Sequence, residues 1–251
     1  MAERLWECQR VRAGPLVKEL RMIRPRFFAG DSWEARREKE WILDFCSLNR
    51  SPADKLELRM ALFGWDGVHY RLSFDDRYLP GNYAGVQKEM SLFFLRCRRW
   101  RQKQGWDRGF DYIRCIEGLH GDHRWHVHMV VSSRDFSQED IAALWGRGDV
   151  FCEDVLLDCT GYRRLARYFL KERMDGLLKP LDKRSVTCSA SLAIPEARCS
   201  LVKSGRIRMP ADAICVQEPS AYSSRWGSFN YCKYLLPDKS RACARARSIL
   251  Q

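Results

Sequence analysis

Between Val68 and Asp75 the chain alternates strictly. Val68, Tyr70, Leu72 and Phe74 fall on one parity, and His69, Arg71, Ser73 and Asp75 on the other. A period of two predicts a half-buried strand, which the turn-rich "DDRYLPGN" brings to an end. In "GVQKEMSLFFLRCRRWRQKQG" the period changes: Val86, Met90, Phe93, Cys97 and Trp100 recur every three or four residues, one face of a helix that Gly105 should stop. Two more strand-like runs follow, "FDYIRCIEG" and "RWHVHMVVS". The short polar turn around "LHGDH" joins them, which predicts a hairpin. "FSQEDIAALWG" predicts a short helix with Ser137 as N-cap, Asp140 in the reciprocal position and Phe136 stapled to Ile141. An extended piece, "DVFCEDVLLD", leads to a last helix, "TGYRRLARYFLKER". The order β, α, β, β, α, β, α is that of a ferredoxin-like split βαβ antiparallel sheet with helices on one face, an α+β fold.

On either side the pattern is less regular. Before it, "SWEARREKEWILDFCSLN" offers Ser32 as an N-cap, and "SPADKLELRMALFG" has Pro52 at a first helical position after Ser51. Residues 1–66 therefore read as a basic, mainly helical N-terminal lobe, and 67–180 as the sheet domain. Residues 181–251 are expected to be an extension packed on that domain, with no architecture derivable from the sequence.

Composition narrows the function. Lys and Arg number 44 against 32 Asp and Glu, a formal net charge of +12, which points to a polyanionic partner and best of all to nucleic acid. Arginines lie among aromatics in "FFLRCRRWRQKQGW", a mixture suited to phosphate contact and base stacking and equally consistent with a solvated basic helix face. The helix from Lys88 to Lys103, with Arg99, Arg101 and Lys103, and Arg24, Arg26, Arg36 and Arg37 further forward, supply candidate backbone contacts. Eleven cysteines without a C-x-x-C pair or a leading apolar segment suggest reduced thiols in a cytoplasmic protein, and speak against a zinc finger. No apolar run approaches the roughly 20 residues that span a bilayer, so no membrane partner is expected. A phosphate-cradling G-x-x-x-x-G-K-[ST] is also missing.

Four of the five histidines crowd into "HGDHRWHVHM". On a strand, Trp125, Val127, Met129 and Val131 point one way, while His126 and His128 point together the other way. Neighbouring imidazoles can reach one divalent ion. Glu117 can lie beside them across the hairpin, giving three protein ligands with positions left open for water or substrate oxygens. Taken alone, the same pattern fits two polar positions on an exposed sheet face. His120 and His123 belong to the turn. On the final helix Tyr162, Leu165 and Phe169 share one side, and Arg164, Tyr168 and Lys171 the other. The second side sets a phenol between two cations, where a phosphodiester could be held and a phenolate stabilised. A half-buried tyrosine beside a solvated lysine reads equally well from that fragment alone.

The residues "SFDD" with a following "LP", "CIEG" closing a strand, "HRWHVHMVV" and then "ARYFLKE" on a helix resemble the HUH endonucleases of the rolling-circle replication initiators. The nearest likeness is to replication-associated proteins of small phages, plasmids and bacterial mobile elements, and it extends roughly from Val68 to Pro195. The resemblance implies that His126, His128 and Glu117 bind Mg²⁺ or Mn²⁺. It implies that Tyr168 attacks the scissile phosphate, leaving a 5′-phosphotyrosine link and a free 3′-hydroxyl, while Lys171 positions or neutralises the site. The expected partners are single-stranded DNA or an origin stem-loop, with a host helicase and DNA polymerase, in the cytoplasm of a bacterial host. Related initiators carry two tyrosines four residues apart. The position four before Tyr168 is Arg164, a candidate DNA contact, so a homodimer or an activated water would have to complete each round; Tyr162 is the fallback nucleophile. Competing readings are an HUH transposase, a relaxase, whose tyrosine precedes the histidines, and a non-catalytic basic nucleic-acid-binding protein.

Overall fold

The computed structural model describes residues 5–46, 48–106, 109–118, 124–155, 162–171 and 186–237. These residues form an α+β fold with five α-helices and two five-stranded antiparallel sheets. No helix among them is long and apolar enough to cross a membrane. In chain order come β1 (Trp6–Ala13), β2 (Leu16–Ile23), α1 (Trp33–Phe45), α2 (Pro52–Ala61), β3 (Gly67–Ser73), α3 (Tyr83–Lys103), β4 (Ile113–Glu117), β5 (His126–Ser132), α4 (Gln138–Trp145), β6 (Val150–Asp154), α5 (Arg163–Phe169), β7 (Val186–Cys188), β8 (Arg198–Val202), β9 (Ile214–Ser223) and β10 (Ser228–Leu235). The described residues divide into two compact units. One comprises residues up to Leu62 and from Ile194 onward, and the other runs from Phe63 to Ala193.

The first unit holds the sheet β8-β1-β2-β10-β9 with α1 and α2. Both helices start where the sequence signals a start. Ser32 Oγ accepts from Ala35 N at 3.2 Å, and Ser51 and Asp54 form a reciprocal capping box ahead of Pro52. The expectation of a mainly helical lobe is corrected by β1 and β2. The reason lies in β2, "LVKELRMI", where Leu16 through Leu20 are all buried, so both faces are covered and the polar-out alternation disappears. The buried Lys18 ammonium is neutralised by Glu57 at 2.8 Å and Asp54 at 3.2 Å, and Lys233 reaches the same buried Glu57 at 2.9 Å. Opposite charges brought together by the fold let charged residues occupy interior positions that a local pattern assigns to solvent. The expected C-terminal extension is likewise corrected: β10 pairs with β2 along its whole length, from Ser228↔Ile23 to Leu235↔Leu16.

The second unit follows the predicted order β3, α3, β4, β5, α4, β6, α5, and closes with β7. Its sheet runs β6-β3-β5-β4-β7, every neighbour antiparallel. It begins at Phe63, a few residues ahead of the expected start at 67, and β7 carries it beyond 180 by pairing with β4. The apolar faces of β3 (Tyr70, Leu72) and β5 (Val127, Met129, Val131) pack against Val86, Met90, Phe93 and Cys97 of α3 and Ile141 and Trp145 of α4. Gly105 follows α3 with φ +81°, and Gly146 caps α4 with φ +56°, left-handed positions that stop both helices. The helices do not all lie on one face, because α5 covers the opposite face of the sheet. There the Phe169 ring lies 5.9 Å from that of His128, and Cys115 Sγ is 3.3 Å from Phe169 O.

Candidate metal and nucleophile site

With α3 and α4 on one face, strand alternation sends the other parity of β3, β4 and β5 toward α5. Antiparallel register then sets Glu117 opposite His126, Cys115 opposite His128, Ser73 opposite His126 and Arg71 opposite His128. Two residues on one strand and one on its neighbour therefore converge, on backbone that both sheet neighbours hold in place.

His126 Nε2 is 2.6 Å from Glu117 Oε2, and His128 Nε2 is 3.3 Å from the same oxygen. Among the described residues, the donor atoms of Glu117, His126 and His128 gather within 4.8 Å of one another. Two imidazole nitrogens and a carboxylate suit a divalent cation of borderline or hard character. Glu117 Oε1 supports the fit: it is buried and has no hydrogen bond of acceptable geometry, although Lys171 Nζ lies 2.9 Å away as an ion pair. The described residues therefore offer a partly open three-ligand set.

The imidazoles are oriented from behind. His126 Nδ1 lies 2.9 Å from the Arg124 carbonyl, which can only accept, so that nitrogen carries the proton and Nε2 faces Glu117 with its lone pair when the ring is neutral. His128 Nδ1 lies 2.9 Å from His69 Nε2, and His69 Nδ1 lies 2.9 Å from Glu153 Oε1. Burial pushes the Glu117 carboxyl up, but its contacts with His126, His128 and Lys171 outweigh that and hold it well below the usual carboxylate range. Glu117 in turn raises His126, against the pull of burial. Burial holds His128 and His69 below the usual histidine range, so both rings favour the neutral, ligating form.

The Tyr168 hydroxyl reaches this cluster, 3.4 Å from Glu117 Oε2 and 3.3 Å from His128 Nε2. Lys171 Nζ stands 4.1 Å from the centroid of its ring. The expected stabilised phenolate is not what the ion-free site provides. Burial and the Glu117 carboxylate push the Tyr168 phenol up, with Lys171 acting in the opposite direction. Lys171 has turned its ammonium to Glu117, and Arg164 is exposed on the same helix. Tyr162 sits at the start of α5, fully buried, and donates to Gly64 O at 2.8 Å. That hydroxyl is committed to the core of the unit, so the fallback nucleophile has no access to a phosphate.

Of the proposed DNA contacts, Arg99 and Lys103 are exposed on α3, and Arg24, Arg26, Arg36 and Arg37 are exposed in the first unit. Arg101 is not available in the same way. It is buried, ion-paired to Asp135, with its guanidinium 4.6 Å over the Trp106 ring. His120 and His123 lie outside the described residues. The sequence reading missed His69, Glu153 and Arg71, all on the site face of β3 and β6. Their parity was visible, since His69 and Arg71 alternate with the apolar residues of β3, but the strand order that puts β3 beside β5 was not.

Residues 73–173 match a family of replication-associated proteins, described as the ORF2 type. The match includes Glu117, His126, His128, Tyr168 and Lys171 and begins after His69. No curated protein and no solved structure matches the chain.

Proposed function

We propose that the chain initiates rolling-circle replication by nicking and rejoining single-stranded DNA with Tyr168 as the nucleophile. The observation that carries this reading is the convergence of the Tyr168 hydroxyl on Glu117 and His128 beside Lys171, inside the segment that is similar to a replication-associated family. The antiparallel order β6-β3-β5-β4 fits a split βαβ nuclease sheet, and the charge of +12 suits a DNA substrate.

Glu117, His126 and His128 would hold Mg²⁺ or Mn²⁺, which would polarise the scissile phosphate and draw negative charge away from phosphorus. The residues of the chain do the rest. Tyr168 Oη forms a bond to phosphorus as the bond from phosphorus to the 3′ oxygen breaks. The phenolic proton is delivered overall to the departing 3′ oxygen, leaving a 5′-phosphotyrosine and a 3′-hydroxyl. Lys171 faces the ring and the phosphate side of the cluster and lowers the cost of the phenolate. Reversal of the same step rejoins the strand. Exposed Arg99, Lys103 and Arg164 would hold the DNA backbone, and a host helicase would unwind the duplex.

Incubation with labelled single-stranded oligonucleotides carrying origin-like hairpins and Mn²⁺ should yield a protein–DNA adduct that survives denaturation. Tyr168→Phe should abolish it and leave the fold intact, since both hydrogen bonds of that hydroxyl are long and a net hydrogen bond contributes only about 1 kcal/mol. An adduct of undiminished yield in Tyr168→Phe would overturn the nucleophile. DNA binding without any adduct in wild type would favour a non-catalytic binding protein.

A further inference from the structure

We propose that His69 and Glu153 form a positioning relay that fixes His128 in the tautomer whose Nε2 is free to bind a metal; this rests on reading Glu117, His126 and His128 as the metal site. His69 Nε2 lies 2.9 Å from His128 Nδ1, and His69 Nδ1 lies 2.9 Å from Glu153 Oε1. An ionised carboxylate has no proton to give, so His69 Nδ1 is the donor to Glu153. His69 Nε2 is then bare and accepts from His128 Nδ1–H. The lone pair of His128 is thereby left on Nε2, the atom that faces Glu117 and the Tyr168 hydroxyl. Each neutral imidazole carries one proton, so the order of donors along this chain has one solution once its outer end is a carboxylate.

The relay is built from side chains on three adjacent strands. Glu153 on β6 is opposite His69 on β3, and β3 is paired with β5, which carries His128. Phe169 of α5 closes over both imidazoles, with ring centroids 5.6 Å from His69 and 5.9 Å from His128. His69 is 6% exposed and so has little access to water as an alternative partner, whereas Glu153 is 52% exposed at its side chain and anchors the outer end. For His126 the Arg124 carbonyl does the same work. Both proposed histidine ligands are thus held by a partner on Nδ1, the arrangement that gives a metal ligand its orientation.

The test uses the full chain without metal and then with Mn²⁺ alone. With only five histidines, nitrogen-15 labelling of histidine gives a long-range proton–nitrogen spectrum simple enough to assign by single substitutions. His128 should show a protonated Nδ1 and a bare Nε2, and His69→Phe should remove that bias. Calorimetric titration should find Mn²⁺ bound about tenfold to a hundredfold more weakly by His69→Phe, the usual cost of losing such a partner. Should His69→Phe not fold, Glu153→Ala at the exposed end should weaken Mn²⁺ binding in the same direction. Glu153→Gln, whose amide oxygen still accepts, should restore it. A protonated Nε2 on wild-type His128, or variants that bind Mn²⁺ within about twofold of wild type, would overturn the relay. Wild type that binds no Mn²⁺ while showing the expected tautomer would overturn the metal site instead.

Discussion

Lys171→Met should slow DNA cleavage and displace its pH dependence upward. The ammonium lies 4.1 Å from the Tyr168 ring centroid and 2.9 Å from Glu117 Oε1. Two unit charges about 4 Å apart interact by about 4 kcal/mol at an effective dielectric constant of about 20. The Lys171 side chain is 40% exposed, so solvent screening leaves roughly 1–2 kcal/mol of that. Phenolate formation would lose this amount, equivalent to about a five- to thirtyfold fall in rate. The direction in pH follows from the opposing influences on Tyr168. Burial and Glu117 raise the phenol, Lys171 lowers it, and without Lys171 the deprotonated nucleophile appears only at higher pH. Single-turnover cleavage of a labelled oligonucleotide at saturating Mn²⁺, measured across pH, should show the variant's rise displaced to higher pH, with the two curves converging at the alkaline end. Lys171→Arg, which keeps the charge, should recover most of the rate. Superimposable profiles for wild type and Lys171→Met would refute the electrostatic role.

His126→Ala and His128→Ala should each lose Mn²⁺ binding in calorimetry and cleavage on gels, while DNA affinity, driven by phosphate contacts, stays close to wild type and keeps its salt dependence. In metal-free protein the Glu117 carboxyl is lower in the folded than in the unfolded chain, where its ordinary value is 4.5. Its contribution to stability is therefore present above that value and is lost as pH falls through the folded value; urea midpoints measured downward from about pH 5 should fall more steeply for wild type than for Glu117→Gln. Arg99→Ala and Lys103→Ala should each reduce the salt slope of DNA binding by about one, with thermal stability unchanged. Arg101→Ala should instead lower stability by about 1–3 kcal/mol, seen as an earlier urea transition, because it breaks a buried ion pair with Asp135.

How much could be read from the sequence depended on how local the determining contacts are. The starts of α1, α2 and α4 rest on side chains that cap backbone three residues away, and Ser32, Ser51 and Ser137 all do this. The pairing of Glu117 with His126 was legible for a similar reason, since a short hairpin fixes which residues face each other. His69 was on the correct parity but could not be joined to His128, because β3 and β5 are brought together across α3 and β4. The burial of Arg101 was equally hidden. Its neighbours on α3 are exposed, and only Asp135, well along the chain, draws it inward. Strands β1 and β2 escaped notice because Lys18 is neutralised by residues of α2 and because β10 covers the β2 edge. Tyr168 stood out only in company, and its environment, with one cation turned to Glu117, required coordinates.

The pairing of β2 with β10 bears on the order in which a ribosome can deliver a working protein. The residues from Phe63 to Ala193 are contiguous, and their strands meet neighbours made within the same stretch. The other sheet must wait for β8, β9 and β10 before β1 and β2 gain their partners. Domains fold largely as units during synthesis, and contacts between distant segments form slowly because the intervening chain must be closed into a loop. The nuclease unit should therefore mature first, while Leu16 to Leu20 of β2 await burial. A nascent chain arrested after Ala193 should already protect the Glu117, His126 and His128 cluster from proteolysis while its first strands remain cleavable. For this protein, translation itself would separate the time at which its chemistry becomes possible from the time at which its fold is complete.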